Sequence, residues 1–253
     1  MKNQYIGDIG DYGKYGLLRF ISKHGIKIGV NWYLSENDII IVDGKINNYL
    51  NDDRKNGDKI YEPELFELLK QFAFKDDKNV IQLEDNNIIP NAVYYHNIIP
   101  KVSNIVRKDR KTIRENWHKN ALNTLNDVDL IFADPDNGSA DDKLCIRKNG
   151  EKYAGICELA DYYKSGKDIV YYCHKARRNP DAWKRKILEL NTICAEAKII
   201  VLTFHRGTQR SFIFGIHPEK YEKYSTLVKQ FLSTNWGTVK VDGKKPPFSK
   251  ESI

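Results

Sequence analysis

The sequence lacks the features that would direct the chain to a membrane, to a secretory pathway or to a structural metal. None of its apolar runs approaches the roughly 20 residues that a membrane-spanning helix needs. The polar first residues contain no apolar segment typical of a secretory signal. The 4 cysteines show no C-x-x-C spacing, which indicates reduced thiols rather than a zinc site or a disulfide framework. These absences predict a cytoplasmic protein that does not bind membranes.

Basic residues outnumber acidic ones by 41 to 34, so the chain carries a formal net charge of +7. An excess of this sign favours an anionic partner, with nucleic acid as the first candidate. The alternative is an evenly charged, well-solvated surface, because a net charge indicates a partner only where it is clustered. The apolar fraction of 41% is sufficient for a core, and 253 residues can form one large α/β domain.

Short apolar runs alternate with amphipathic segments, and this alternation predicts an α/β fold with a mainly parallel sheet and helices on both faces. A turn between the last two strong strands indicates an antiparallel hairpin near the C-terminal end. We expect a single α/β domain over residues 1–243 and a flexible tail over 244–253. The predicted strands are 27–33, 38–42, 79–83, 92–99, 128–133, 168–173, 198–205, 210–216 and an edge strand at 236–241. The predicted helices are 61–75, 104–126, 153–165, 179–197 and 218–232.

The most informative stretch is an apolar run, 128–133, that ends abruptly in Asp134-Pro135-Asp136-Asn137-Gly138. The run is typical of a strand that is buried on both faces. Pro135 cannot continue the ladder, and Asn137-Gly138 favours a turn. Asp134 and Asp136 are therefore expected at the carboxyl end of a central strand, where open α/β sheets bind ligands. A strand-end aspartate that caps the next turn is the alternative.

A second informative stretch lies near the N-terminus, where four glycines fall within ten residues. This density predicts a loop whose backbone approaches another group closely, with a helix beginning near Asp11. Asp8, Asp11 and Lys14 recur every three residues, so Asp11 and Lys14 would share a helix face. Tyr12 could stack on a base or pack in the core.

The third stretch is basic and follows the predicted strand 168–173. It contains His174, Lys175, Arg177 and Arg178, and a strand end would bring these side chains towards the two aspartates if the strands are neighbours. A basic turn leading into the next helix is the alternative. Arg206, in the predicted hairpin turn, is a further candidate for this site. The alternative is that Arg206 lies at the end of a strand without contacting the site.

Two further segments carry weaker predictions. Residues 139–152 are polar and are expected to form a mobile loop beside the site, where such loops often close over substrates. Glu84 follows the predicted strand 79–83, and an acid at such a position often binds the hydroxyl pair of a ribose. A surface turn is the alternative for Glu84.

Taken together, the motifs resemble those of known families. The pattern N-Q-Y-x-G-D-x-x-D-Y-x-K-Y-G-L-L-R, followed later by D-P-D-N-G, is similar to a group of bacterial proteins of undefined function. More distantly, Gly7-Asp8, Asp11 and Lys14 match the N-terminal motif of the J-type adenine-N6 methyltransferases of large-subunit ribosomal RNA. Asp134-Pro135 matches the start of their D-P-P-Y motif. Asp136 stands in place of the second proline, and Asn137 replaces the aromatic residue.

This resemblance implies a Rossmann-like, methyltransferase-like fold and an S-adenosylmethionine-dependent enzyme acting on nucleic acid, with adenine N6 as the target in the J-type family. Together with the strand-end and helix-face arguments above, it suggests Asp134, Asp136, Asn137 and His174 as catalytic residues. The candidate cofactor-binding residues are Asp8, Asp11, Lys14 and Glu84, and the candidate substrate-binding residues are Tyr12, Lys175, Arg177, Arg178 and Arg206. The first strand, however, is followed by no glycine before Gly44, whereas these enzymes have a glycine-rich loop there.

Two other functions fit the same residues. Asp8, Asp11, Asp134 and Asp136 could hold Mg²⁺ for a nuclease or a phosphotransfer enzyme, because Mg²⁺ prefers carboxylate and phosphate oxygens. The second alternative is a binder of nucleic acid or protein that kept the fold without catalysis, in a defence or mobile-element module.

Overall fold

A central sheet of seven strands organises the computed structural model, which describes residues 1–37, 46–52, 54, 57–175 and 178–253. The predicted strand at 38–42 and the candidate Arg177 lie outside the described residues. In chain order the strands are β1 (Ile28–Asn31), β2 (Val93–Tyr95), β3 (Leu130–Ala133), β4 (Ser139–Ala140), β5 (Ala154–Gly155), β6 (Asp168–His174), β7 (Lys198–Phe204), β8 (Arg210–Ile216) and β9 (Phe248–Lys250).

The strand order in the main sheet is β2-β1-β3-β6-β8-β7-β9, while β4 and β5 form a separate parallel pair. β2, β1, β3 and β6 pair in parallel, β8 runs antiparallel to both β6 and β7, and β9 runs antiparallel to β7. Five of the seven strands therefore share one direction. The predictions of a mainly parallel sheet and of a closing hairpin near the C-terminal end are confirmed.

Helices cover both faces of this sheet. They are α1 (Ile9–Lys23), α2 (Pro63–Ala73), α3 (Val80–Asp85), α4 (Arg110–Thr124), α5 (Asp142–Cys145), α6 (Ile156–Lys164), α7 (Pro180–Ile187), α8 (Tyr221–Ser233) and α9 (Asn235–Thr238). Successive residues of β3 alternate between two cores: Phe132 packs with α1, α2 and α8, whereas Ile131 packs with α4, α6 and α7. This alternation follows from the two-residue period of a strand that is buried on both faces.

The glycine-rich N-terminal stretch forms a helix rather than the predicted loop. Gly10, Gly13 and Gly16 lie inside α1, and a Cβ at Gly16 would come within 2.3 Å of the Trp236 indole. A Cβ at Gly13 would meet the ring of Phe204 at 2.5 Å. The glycines therefore cost helix propensity but allow α1 to approach the sheet and its neighbours closely. The expected close approach was right, and the expected backbone conformation was wrong.

Two predicted strands are helices. Residues 79–83 form the start of α3, where Asn79 caps the helix by accepting from the amide of Ile81. Val80 and Leu83 face the core with helical spacing, and such short apolar runs are ambiguous between helix and strand. The predicted edge strand at 236–241 begins instead with the short helix α9, which is capped by Thr234.

The segments predicted to be mobile are built into the fold. Within the expected tail 244–253, Phe248–Lys250 forms β9 at the sheet edge, and Phe248 is buried. The expected mobile loop 139–152 contains β4, α5 and a short 3-10 helix, Gly150–Lys152. The predicted helix 179–197 ends early, at Ile187. In the described part of the chain, no helix combines the length and the apolar character that crossing a bilayer requires.

Candidate functional site

A cleft of about 490 Å³ opens at the carboxyl ends of β3 and β6 and against the start of α1. β3 and β6 are parallel neighbours, and the carboxyl ends of parallel strands are where open α/β sheets bind ligands. The cleft is lined by Met1, Lys2, Tyr5, Asp8, Gly10, Asp11, Lys14, Ile46, Asp134, Pro135, Asp136, Asn137, Lys152, Tyr172, His174, Thr208 and Arg210.

At its floor, one ammonium bridges two carboxylates. Lys14 Nζ lies 2.7 Å from Asp11 Oδ1, one helical turn away, and 2.7 Å from Asp134 Oδ2 beyond the end of β3. All three side chains are buried, with Asp134 only 4% exposed. The two distant motifs of the sequence, one near the N-terminus and one after β3, therefore meet in a single ion cluster.

Burial and charge shift the titration of this cluster in defined directions. Burial raises the pKa of Asp11 and of Asp134, and Lys14 opposes that rise. Burial alone would lower the pKa of Lys14, but Asp11 and Asp134 together raise it above its ordinary value. Lys14 is therefore a permanent cation at physiological pH, and its charge is shared between two desolvated acids.

Asp134 keeps one oxygen available to the cleft. Its Oδ2 accepts from Lys14 at 2.7 Å, and its backbone carbonyl accepts from the amino nitrogen of Met1 at 2.8 Å. The described residues provide no hydrogen bond to its Oδ1. Oδ1 is also not one of the side-chain atoms that are both fully buried and without a hydrogen-bond partner. Of the other three lining acids, Asp8 and Asp11 use both of their oxygens within the protein.

The loop after β3 supplies two further side chains. Asp136 Oδ1 lies 2.9 Å from the Met1 amino nitrogen, and its Oδ2 lies 4.0 Å from Lys2 Nζ. Asn137 donates its backbone N–H to the carbonyl of Lys152 at 2.9 Å, which ties the loop to the following segment. The side-chain amide of Asn137 lines the cleft and can both donate and accept.

A second group of interacting polar side chains lines the opposite wall of the cleft. Arg210 Nη2 contacts Asp8 Oδ1 at 2.5 Å, and Arg210 also acts electrostatically on Tyr172. The Tyr172 hydroxyl shares a hydrogen bond of 2.7 Å with His174 Nε2. Either tautomer of a neutral imidazole can make this bond, because a hydroxyl both donates and accepts.

The surroundings of His174 favour its neutral form. Burial lowers its pKa to about 4, and the guanidinium of Arg210 adds to the shift. Asp136 opposes the shift only in part. At neutral pH His174 is therefore a poor proton acceptor, and its neutral ring offers one hydrogen-bond donor and one acceptor.

The structure brings seven predicted site residues to the cleft, namely Asp8, Asp11, Lys14, Asp134, Asp136, Asn137 and His174. Other predicted residues lie elsewhere. Tyr12 is fully buried, stacks on Tyr49, and donates its hydroxyl to backbone carbonyls, so the prediction that it meets a substrate is wrong. Arg206 is buried and donates to Tyr61 and to the carbonyl of Lys245, away from the lining residues.

Three more predicted residues serve the surrounding fold. Glu84 lies on α3 rather than after a strand, and it accepts from Trp32 Nε1 at 2.7 Å. Lys175 Nζ lies over the Trp183 ring and 3.7 Å from Glu251. Arg178 donates to the backbone carbonyls of His174 and Lys175, which fixes the end of β6. None of the three lines the cleft.

The sequence reasoning missed Tyr172, Arg210 and Lys152. A signal existed for Tyr172, because residues two apart in a strand face the same side and His174 was already a candidate. Arg210 pairs directly with His174 across β6 and β8, which depends on a hairpin register that was not assigned from the sequence. Lys152 reaches the cleft because Asn137 is tied to its carbonyl.

The turn after β1 has a left-handed backbone conformation that usually requires glycine, although the residue there is not glycine. Tyr33 adopts a left-handed φ of 44°, a conformation that costs energy for a large side chain. Its hydroxyl donates to Glu158 Oε2 at 3.2 Å, and its ring lies beside Trp117 and Arg114. Buried contacts on the ring therefore compensate for a backbone that favours glycine.

The described residues contain no group of three or more acids, histidines or cysteines arranged to hold a metal ion. The four acids proposed for Mg²⁺ are instead each within reach of a protein cation: Lys14 for Asp11 and Asp134, Arg210 for Asp8, and the Met1 amino nitrogen for Asp136.

No family model and no curated protein matches the chain. Among solved structures, it is similar to the protein LPL1258 from Legionella pneumophila strain Philadelphia 1, which is described under the family model DUF519. The two chains share 12% sequence identity, the match covers 97% of each, and the TM-score is 0.51. At this identity the likeness concerns the fold alone, and it supports the mixed α/β architecture over the whole chain.

Proposed function

We propose that this protein is a methyltransferase-like enzyme with a Rossmann-like fold that uses S-adenosylmethionine and modifies an exocyclic amino group of a nucleic-acid base. The observation that carries the proposal is the state of Asp134. Its Oδ2 is fixed by Lys14 at 2.7 Å, and its Oδ1 has no partner among the described residues while the side chain lines the cleft. A fixed, unshared carboxylate oxygen is an acceptor suited to an amino group.

The topology supports the same proposal. The reversed strand β8 lies between β6 and β7, like the closing strands of the methyltransferases that the sequence motifs resemble. The cleft lies where ligands bind in open α/β sheets, and its volume of about 490 Å³ is within the range for small-molecule sites. Fold alone does not define an activity, so the weight rests on the side chains.

Two polar side chains could read an amino-bearing base edge together. Asp134 accepts from the amino group, while the Asn137 amide offers both a donor and an acceptor for the ring atoms beside it. Such an edge, with a donor next to an acceptor, is that of adenine or cytosine. Asn137 replaces the stacking aromatic residue of the related motif, so recognition here would depend on hydrogen bonds rather than on stacking.

Lys14 and His174 are positioning residues in this proposal. Lys14 orients Asp134 and opposes the effect of burial on its pKa, because both close contacts of the ammonium are to carboxylates. A pKa near 4 makes His174 too weak a base to remove a proton efficiently at neutral pH. Its neutral ring would instead form a hydrogen bond to the substrate.

The cleft also suits the chemical groups of the cofactor. S-adenosylmethionine supplies an electrophilic methyl group when it is bound, and its amino-acid end carries one ammonium and one carboxylate. Lys152 lines the cleft and matches the charge of that carboxylate. The left-handed Tyr33 gives the loop after β1 the sharp turn that glycine provides in methyltransferases.

Calorimetric titration with S-adenosylmethionine and S-adenosylhomocysteine is the direct test of cofactor binding. Methyl transfer from labelled S-adenosylmethionine to RNA and DNA then tests the reaction. We expect wild-type protein to bind and to transfer, and Asp134→Asn to bind the cofactor while losing transfer by about 100-fold or more, as for the loss of a group that acts in the transition state. Asp127→Asn, an exposed aspartate outside the cleft, is the matched control.

The proposal fails if the protein binds neither cofactor form and transfers no methyl group to either nucleic acid. Binding to nucleic acid without cofactor binding would favour the non-catalytic alternative. Equal activity of Asp134→Asn and wild type would show that the carboxylate does not act on the substrate, even if methyl transfer occurs.

A further inference from the structure

The segment between the Asp134-Pro135-Asp136-Asn137 loop and α6, residues 141–153, presents several cations to solvent. By sequence it is nearly balanced, with three acids and four basic residues. In the structure Asp141 is exposed and accepts from the amide of Lys143 as a helix cap, Asp142 is half-buried and accepts from the amide of Cys157, and Glu151 is buried. Two of the three acids are thus at least partly withdrawn from solvent.

Three basic side chains of the segment face solvent. Lys143, Arg147 and Lys148 are exposed, and no ion pair joins them to an acid in the described part of the chain. Some exposed lysines elsewhere do have such partners, as in the pairs Lys27–Asp127 and Lys111–Glu115. Leu144, which lies among the three cations, is 40% exposed, so the surface also offers an apolar contact.

This surface is held in a fixed relation to the cleft. Arg114 donates to the carbonyls of Gly150 and Tyr153, at 3.5 and 2.7 Å, and it is itself paired with Glu158. The Asn137 amide donates to the carbonyl of Lys152 at 2.9 Å, and Lys152 lines the cleft. The exposed cations therefore begin within a few residues of the side chain that would contact the base.

We propose that Lys143, Arg147 and Lys148 form a phosphate-binding surface that holds the backbone of a single-stranded or locally opened nucleic acid while one base enters the cleft. The inference rests on the proposed function for its substrate class and adds the surface that binds the strand. A base can reach Asp134 only when it leaves the duplex, so the strand beside it must be held by contacts that do not depend on pairing. Unpaired cations beside an exposed leucine meet that requirement.

The test is fluorescence anisotropy with labelled single-stranded RNA and DNA at several salt concentrations. The variant Lys143→Gln/Arg147→Gln/Lys148→Gln removes the three cations without adding acids. Each phosphate contact contributes about 0.7 to the slope of log affinity against log salt for single strands, so we expect the slope to fall by roughly 2. At about 0.1 M salt, this corresponds to an affinity about 100-fold weaker.

The matched control is Lys119→Gln/Lys223→Gln/Lys229→Gln, which changes the net charge equally at three exposed lysines outside the cleft lining. We expect its slope and affinity to stay near those of the wild type. Equal losses in both triple variants would overturn the inference, because net charge alone would then explain binding. Competition by polyglutamate as effective as that by RNA would also overturn it, because the surface would then recognise charge rather than a phosphate backbone.

The same preparations separate this inference from the proposed function. If the triple variant loses nucleic-acid affinity and no preparation transfers a methyl group, the surface is supported and the proposed reaction fails. If wild type transfers methyl groups and the triple variant keeps its affinity and salt slope, the surface is wrong and the reaction stands. A wild type that binds neither RNA nor DNA overturns the surface outright.

Discussion

Replacing Lys14 with methionine should be one of the most damaging single substitutions in the cleft. Lys14 Nζ lies 2.7 Å from a carboxylate oxygen of Asp11 and 2.7 Å from one of Asp134. At an effective dielectric constant of about 20, each contact of 2.7 Å is an attraction of roughly 6 kcal/mol. Most of that attraction offsets the cost of burying the charges, and the net loss on removing one partner of a buried pair is about 3–5 kcal/mol.

A loss of that size is a large part of the total stability of a domain, which is about 5–15 kcal/mol. Urea unfolding followed by tryptophan fluorescence at about pH 7.5 measures it directly. The control Lys27→Met removes an ammonium from a solvent-exposed pair with Asp127, and we expect its midpoint to match that of the wild type. A Lys14→Met protein that unfolds within about 1 kcal/mol of the wild type would refute the buried ion cluster.

The pH dependence of the same variant provides an independent check. Burial already raises the pKa of Asp11 and Asp134, and Lys14 is the main group that opposes the rise. Without Lys14 both folded-state values move further above the unfolded value, so the folded state binds more protons at acidic pH. The deficit of Lys14→Met should therefore be largest at neutral pH and shrink as the pH falls towards the ordinary aspartate value of about 3.9. A deficit that grows on acidification would contradict this assignment.

Three further predictions concern the walls of the cleft and the core behind it. Proton NMR should titrate His174 with a pKa of about 4, rising towards its ordinary value in Arg210→Gln, and the histidine should cost stability as the pH falls through the window between 6.5 and 4. Gly16→Ala should destabilise the protein by about 1–3 kcal/mol in urea although alanine favours helices, because the added methyl group meets an indole ring. Phe248→Ala should cost about 3–5 kcal/mol, whereas Phe74→Ala, at an exposed ring, should change the urea midpoint little.

The order of strands and helices was largely predictable because the hydrophobic periodicities typical of strands and of helices are visible in the sequence. Strand β3 is a continuous apolar run that ends in a proline, and α2 has its proline in the first turn with an apolar stripe. The errors fell where local pattern and tertiary packing disagree. α1 carries three glycines that would disfavour a helix, yet close packing against Trp236 and Phe204 stabilises it.

The C-terminal segment 244–253 is a second case in which local sequence pattern and tertiary packing disagree. Two adjacent prolines and several lysines suggest a flexible segment, but Phe248 lies within an aromatic cluster and the backbone around it pairs with β7. A single buried aromatic residue, together with an edge strand that needs a partner, outweighs the composition of the rest of the segment. A sequence pattern averaged over ten residues does not reveal the effect of one buried aromatic residue.

For the candidate site, the sequence identified the acids and the lysine because they follow strand ends and share helix faces. Apart from the Asp11–Lys14 pair on one helix face, it did not identify what neutralises them, because the other counter-charges come from distant parts of the chain. Arg210 reaches Asp8 across 202 positions, and Lys14 reaches Asp134 across 120. Four acids alone suggest a magnesium site, whereas in the described residues each of these acids lies close to a protein cation and Asp134 Oδ1 accepts no hydrogen bond. The cations, more than the acids, therefore favour an amino group over a metal ion as the ligand of this cleft.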